Sequence, residues 1–172
     1  MRNDPASKLS WALISLLLLG SAIFCLSSEK PQDRTRTTIE KPLLESAFRA
    51  KLNIENPVEF VPIYILTELR VKVKNLSDIT WPAGTGRPDE PYNIYLSYHL
   101  YSKGGNFIMD GPKTPLPYDI KPGENAIVYA KVFSHMEGDF RMEFDLIQEG
   151  VGWFGPKGSR TSTINMRVIT SD

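Results

Sequence analysis

The stretch TELRVKVKN, residues 67–75, decides the fold because apolar and charged side chains alternate along it. Leu69, Val71 and Val73 fall on one side of an extended chain, and the basic residues between them fall on the other. A period of two with one apolar side is typical of a β-strand that buries one face and leaves the other in water. The stretch therefore predicts a strand at the surface of a sheet.

Four further stretches repeat this period, and turns rich in glycine and proline separate them. They are YNIYLSYHLYS (92–102), NAIVYAKVF (125–133), DFRMEFDLIQE (139–149) and STINMRVIT (162–170). Short strands at regular spacing predict an all-β fold, an immunoglobulin-like antiparallel β-sandwich over residues 57–172. The side chains expected on its inward faces include Val71, Val73, Leu96, Tyr98, Phe140, Phe144 and Val168.

The N-terminal stretch LSWALISLLLLGSAIFCL, residues 9–26, contains no charged residue. As a helix it would be about 27 Å long, close to the ~30 Å thickness of the hydrocarbon layer. Small residues suited to signal cleavage are poorly placed, so residues 1–28 are predicted to be an uncleaved signal anchor with one transmembrane helix. The folded domain is then expected on the exported side, in the periplasm or outside the cell.

Residues 29–56 are predicted to be a tether between the anchor and the sandwich. The first part, SSEKPQDRTRTTIEKP (27–42), is polar and has no apolar period, so an extended and mobile chain is expected. The second part, LLESAFRAKL (43–52), is consistent either with a short amphipathic helix or with an edge strand.

The overall composition argues against several classes of function. Basic and acidic residues number 20 each, which leaves no net field to favour nucleic acid. The single cysteine, Cys25, lies in the apolar stretch and forms no intramolecular disulfide. No spacing of His, Cys or carboxylates indicates a metal, cofactor or catalytic site. The chain is predicted to be no enzyme and to need no cofactor.

Three segments, taken in order, resemble a known family. They are VKVKNLSDITWPAGTG (71–86), YLSYHLYSKGGNFIMDGPKTPLPYDIKPGE (95–124) and GDFRMEFDLIQEGVGWFGPKG (138–158). Together they resemble a bacterial immunoglobulin-like β-sandwich module often appended to glycosyltransferases and methyltransferases of cell-surface polysaccharide synthesis. The resemblance spans about residues 68–168 and implies a role in glycan or envelope assembly. NLSDITWPAGT (75–85) is also similar to the opening of the tryptophan-rich immunoglobulin-like domain of autophagy receptors.

The sequence offers Trp81 and His99 as candidate binding residues. Asn75 and Ser77 stand where a strand enters a turn, and their short side chains are suited to cap backbone donors there. Trp81 is then expected to fold back over the end of the sandwich as a core plug, with ligand stacking as the alternative. His99 points away from the core, where it either binds a ligand or forms surface hydrogen bonds.

The loop EGVGWFGPKGS, residues 149–159, carries two adjacent aromatic rings among glycines. Two alternatives remain open for Trp153: an end plug of the core, or a sugar-stacking platform edged by Glu149 and Lys157. Adjacent side chains tend to point to opposite sides, so Trp153 is predicted to be structural and Phe154 the more exposed ring. Asp145 is expected on a solvated face.

Two classes of function fit these features. The first is a membrane-anchored, non-catalytic binding module of the cell envelope that recognises a polysaccharide or a polysaccharide-assembly partner. The second is a small structural accessory subunit of a membrane protein complex, in which the helix makes the main contact. Both need only an anchor, a tether and a rigid domain.

Overall fold

The computed structural model describes residues 34–87 and 89–170. This part of the chain contains ten strands and two short 3-10 turns, Glu45–Ala47 and Gly155–Lys157. The strands, numbered in chain order, are β1 (Ala50–Glu55), β2 (Phe60–Pro62), β3 (Thr67–Asn75), β4 (Ile94–Ser102), β5 (Phe107–Asp110), β6 (Thr114–Pro115), β7 (Asn125–Val132), β8 (Gly138–Gln148), β9 (Gly152–Trp153) and β10 (Ser162–Ile169). The all-β prediction is confirmed.

The first sheet has the strand order β1-β3-β7, and its strands are antiparallel. The central strand β3 is the stretch on which the fold prediction rests. Leu69, Val71 and Val73 are buried along one side of it, while the lysines and arginine between them point outward. The alternation in sequence therefore marks the inner and outer faces of this sheet correctly.

The second sheet has the order β2-β10-β8-β4-β5, with β6 also paired to β4 and β9 to β8. All of its pairs are antiparallel except β2 with β10, which run parallel. The chain leaves the first sheet after β1, turns at Asn56 with φ of 56°, and joins the second sheet as β2. The expectation of a purely antiparallel sandwich was wrong at this edge, because the connection crosses between sheets instead of forming a hairpin.

The inward faces of both sheets form a single buried cluster between them. The residues predicted to point inward are all at most 7% exposed: Val71, Val73, Leu96, Tyr98, Phe140, Phe144 and Val168. The long strands β3, β4, β7 and β8 contribute alternate residues to this layer, as expected when two sheets pack face to face. This burial of apolar side chains is the main term that stabilises the domain.

The sandwich includes residues before the expected boundary at residue 57, because β1 is an edge strand of the first sheet. Further upstream, the guanidinium of Arg36 donates to the carbonyl oxygens of Gly84 and Ala83, each at 3.0 Å. The hydroxyl of Thr37 donates to Asp119 Oδ2 at 2.8 Å. These contacts belong to the first part of the predicted tether, which the sequence led us to expect as a mobile chain, and they attach it to loops of the sandwich.

The predicted signal anchor, residues 1–28, lies outside the described residues. Within residues 34–87 and 89–170, no helix has the length and apolar composition that a membrane crossing requires.

Candidate functional site

The outer surface of the second sheet carries a group of aromatic side chains. On β4, residues 95, 97, 99 and 101 point away from the core, which places His99 and Tyr101 on this surface. β5 pairs with β4 so that Phe107 lies opposite Tyr101. β9 folds back on β8 and places Trp153 opposite Ile147. We call His99, Tyr101, Phe107 and Trp153 the outer aromatic face.

The rings of the outer aromatic face are in contact with one another. The ring centroids of His99 and Trp153 are 4.1 Å apart, with an angle of 52° between their planes. Phe107 lies 6.3 Å from His99 and 5.9 Å from Tyr101. The backbone of Trp153 pairs with Ile147, but its ring contacts His99, which lies opposite Glu143. The ring therefore passes over the intervening pair of residues, Ser97 and Asp145. The result is a continuous aromatic surface that spans several strands.

Charged groups border these rings. Nδ1 of His99 lies 2.6 Å from Oδ1 of Asp110, which holds the imidazole in one orientation. The guanidinium carbon of Arg141 lies 4.0 Å from the ring centroid of Tyr101, a cation–π distance, and its Nη1 donates to Glu143 at 3.1 Å. The surface thus combines flat apolar rings with hydrogen-bonding groups at their edges.

A groove of about 600 Å³ continues this surface toward the β4–β5 turn. Its lining includes Phe60, Lys103, Asp139, Arg141 and Arg167. Arg141 belongs to both the groove and the rim of the outer aromatic face. An elongated ligand can therefore contact both parts at once.

Asp145 is buried although it points outward from β8. It lies opposite Ser97 of β4 and is only 1% exposed. The chain after Trp153 turns over it, and the backbone N–H of Gly155 donates to Oδ2 at 2.7 Å. The N–H of Leu146 donates to Oδ1 at 2.7 Å. Burial outweighs these hydrogen bonds and raises the pKa of the Asp145 carboxyl to about 6.

The expectation that Asp145 lies on a solvated face was therefore wrong. Strand alternation gives the side of the sheet, but the 149–159 loop closes over that side. Only glycine permits this approach at position 155, since a Cβ there would stand 2.8 Å from Asp145 Oδ2. Arg70, Lys72 and Lys74, the basic residues of β3, belong to the other sheet and are not hydrogen-bond partners of Asp145.

The two rings of the 149–159 loop have the reverse of their predicted roles. Phe154 is fully buried, with its ring centroid 4.8 Å from that of Phe48 and 5.4 Å from that of Trp81, both in edge-to-face geometry. Trp153 is partly exposed. The two side chains do point to opposite sides, as predicted, but the prediction of which one is buried was wrong. Phe154 plugs the end of the core, and Trp153 lies on the outer surface.

Trp81 is the core plug that the sequence favoured, and it is not a ligand platform. It is fully buried, and its indole N–H donates to the carbonyl of Ala47 at 2.8 Å. The Asn75 amide donates to the carbonyls of Ile79 and Ile120, at 2.7 and 2.8 Å. Its Oδ1 accepts from the Ser77 hydroxyl at 2.7 Å. These contacts hold the turn that returns Trp81 to the core.

The structure does not bring Glu149 and Lys157 to the edge of Trp153 as a pair. The Glu149 carboxylate binds Lys113, with Oε2 and Nζ 2.5 Å apart. The ammonium of Lys157 lies 2.7 Å from Glu45 Oε1 and 4.6 Å from the ring centroid of Phe48. Of the residues predicted for a site, His99 and Trp153 come together, whereas these two serve other contacts.

Sequence reasoning missed the remaining members of the outer aromatic face. Alternation along β4 placed Tyr101 on the same side as His99, and that signal was available. The positions of Phe107 and Asp110 depend on the β4–β5 register, which shifts between Leu100 and Tyr101. No local pattern reveals such an irregularity.

Comparison with known proteins gives similarity of structure only. No family model and no curated protein matches the chain. The CARDB domain of PF1109 from Pyrococcus furiosus, solved with di-metal ions, is 19% identical over 78% of this chain and 100% of that one, with a TM-score of 0.41. The macrocyclization catalyst AvmM of alchivemycin A biosynthesis is 7% identical over 73% and 91%, with a TM-score of 0.43.

A third solved structure is the ASH/PapD-like domain of human CEP192, 7% identical over 82% of this chain and 99% of that one, with a TM-score of 0.30. TM-scores below 0.5 carry no argument about what this chain binds or does. The association with glycosyltransferases and methyltransferases that the sequence resemblance implies stays a prediction.

The opposite burial of Phe154 and Trp153 leads to a test by two alanine variants of the full chain. Phe154→Ala should lower the free energy of unfolding by about 3–5 kcal/mol, because it opens a cavity beside two other buried rings. Trp153→Ala should cost about 1–2 kcal/mol, since its ring is already partly in water. Urea unfolding measures both values. A larger loss for Trp153→Ala would contradict the assignment.

The raised pKa of Asp145 leads to a test by pH. The folded protein holds the Asp145 proton more tightly than the unfolded chain does. The stabilisation that the protonated carboxyl contributes is therefore fully present below pH 4, and it is lost as pH rises through 6. Relative to Asp145→Asn, the parent should lose roughly 3 kcal/mol of stability between pH 4 and pH 7. His99 and Glu143, the charged neighbours, remain in both proteins. If the difference in unfolding free energy between the parent and Asp145→Asn did not change with pH, the raised pKa of Asp145 would be refuted.

Proposed function

We propose that the chain is a non-catalytic binding module whose outer aromatic face recognises a carbohydrate chain. The observation that carries the proposal is the close, tilted contact of Trp153 with His99, with centroids 4.1 Å apart, on a surface shared with Tyr101 and Phe107. A sugar ring has an apolar face of C–H groups that packs on such rings, and a rim of hydroxyls that needs hydrogen-bond partners.

The groups around the rings supply those partners. Asp110 is 47% exposed at its side chain and already bound to His99, so its second carboxylate oxygen is available to accept from a sugar hydroxyl. Glu143 and Arg141 of β8, which lie opposite His99 and Tyr101, offer an acceptor and a donor. The groove beyond Arg141 supports a ligand of several sugar units.

Binding is proposed in preference to catalysis because the chemically active groups nearby are occupied. The Ser97 hydroxyl donates to the carbonyl of Gly111 at 2.8 Å, which leaves it without a general base. Asp145 is closed off beneath the 149–159 loop. His99 is tied to Asp110, and its ring is covered by Trp153.

We propose that the protein is located in the cell envelope. The apolar residues 9–26 would anchor the chain, and the sandwich would stand on the exported side, where bacterial polysaccharides are assembled and displayed. The sequence resemblance to modules of cell-surface polysaccharide synthesis supports this setting.

A second candidate, an accessory subunit of a membrane complex, is favoured by a different surface. Tyr64, Ile65 and Leu66 follow one another in the β2–β3 loop and are exposed by 66%, 52% and 52%. Three consecutive exposed apolar side chains are unusual on a monomer and are typical of a contact with another protein.

Carbohydrate recognition can be tested on an array of bacterial surface polysaccharides with the full chain. Trp153→Ala and Tyr101→Ala should each weaken binding by about tenfold or more, because each removes a stacking ring. Tyr129→Ala is the matched control, since Tyr129 is 53% exposed on the opposite sheet. Two results together would favour the accessory-subunit function instead. Trp153→Ala would bind polysaccharide like the parent, and the double variant Ile65→Ser with Leu66→Ser would no longer associate with a membrane complex.

The anchor can be tested by fractionation of cells that express the full chain. We expect the protein to sediment with membranes, to resist alkaline extraction and to retain its first residues by mass spectrometry, because the apolar stretch is close to spanning length. A soluble chain that begins near Ser27 or Ser28 would show a cleaved signal peptide.

A further inference from the structure

The outer surface of the first sheet contains a groove of about 440 Å³ on the side opposite the outer aromatic face. Its lining consists of Lys51, Asn53, Lys72, Lys74 and Asn125. We call these five residues the basic groove. Among the described residues, no carboxylate contributes to its lining.

Strand register brings the lysines of the basic groove together. Lys51 of β1 lies directly opposite Lys74 of β3, and Asn53 lies opposite Lys72. Asn125 of β7 lies opposite Lys74 on the other side. Like charges placed directly opposite each other across a strand pair destabilise the sheet, so this arrangement carries a free-energy cost in the empty protein.

The neighbouring row of the same sheet is built differently. There Arg70 forms an ion pair with Glu55 across the same two strands. Lys51, Lys72 and Lys74 have no such partner within residues 34–87 and 89–170. The positive charge is therefore concentrated at one end of the face, although the whole chain has no net charge.

We propose that the basic groove binds a phosphate group. A phosphate carries up to two negative charges and presents several acceptor oxygens, which match three ammonium groups and two carboxamide N–H₂ groups. A single carboxylate would leave most of this charge unneutralised. Binding would also remove the repulsion between Lys51 and Lys74.

The phosphate belongs either to a dissolved molecule or to lipid headgroups. Both present phosphate oxygens to the basic groove, but a diester headgroup carries one negative charge, so more than one headgroup is needed to neutralise the three lysines. The site is independent of the proposed carbohydrate surface, because it lies on the other sheet and shares no residue with it. Failure of one proposal therefore leaves the other standing.

The test uses the full chain in non-ionic detergent and a triple variant, Lys51→Gln with Lys72→Gln and Lys74→Gln. Inorganic phosphate and pyrophosphate are titrated by calorimetry at constant ionic strength. Micelles doped with phosphatidylglycerol or with phosphatidylcholine form the second arm. The triple variant should lose about tenfold or more in affinity for the phosphate probe, and its melting temperature without ligand should equal or exceed that of the parent.

The charge-matched control carries Lys41→Gln, Lys131→Gln and Arg160→Gln, which lie outside both grooves, and it should bind phosphate like the parent. A loss confined to soluble phosphates identifies a dissolved ligand, and a loss confined to phosphatidylglycerol micelles identifies a headgroup. Equal binding by the parent and the triple variant in both arms would overturn the proposal. So would groove-dependent binding of polygalacturonate, a carboxylate polymer, without any response to phosphate.

Discussion

The buried contact among Phe48, Trp81 and Phe154 is the constraint on which the functional surface depends. These rings come from the N-terminal segment, the loop after β3 and the loop after β9, and they meet in edge-to-face geometry at one end of the core. Large aromatic rings dominate the energy of burial in a domain of this size. Their packing fixes three separate loops, and it fixes the course of the 149–159 loop in particular.

Once Phe154 is buried, the outer surface of the second sheet follows. The residue before it must point the other way, so Trp153 is directed over the sheet toward His99. The residue after it, Gly155, is brought onto Asp145 and closes that carboxylate off from water. One core contact thus produces both an exposed aromatic ring and a buried acid with a raised pKa.

The two outer faces of the sandwich differ although the same alternating pattern generates both. On the first sheet, alternation along β3 leaves lysines outward, and the register with β1 adds Lys51 to them. On the second sheet, alternation leaves His99 and Tyr101 outward, and β5 and β9 add Phe107 and Trp153. The chemistry of each face therefore depends partly on the sequence of one strand and partly on which residues the neighbouring strands pair with it.

The sequence by itself determined the all-β class, the inward residues and the capping role of Asn75 and Ser77, because these depend on local periodicity and short-range hydrogen bonds. Only the tertiary structure decided which ring of the Trp153–Phe154 pair is buried and whether Asp145 meets water. Those outcomes depend on contacts between residues far apart in the chain, such as Phe48 with Phe154, and a local pattern gives the two sides of a strand without saying what will cover them.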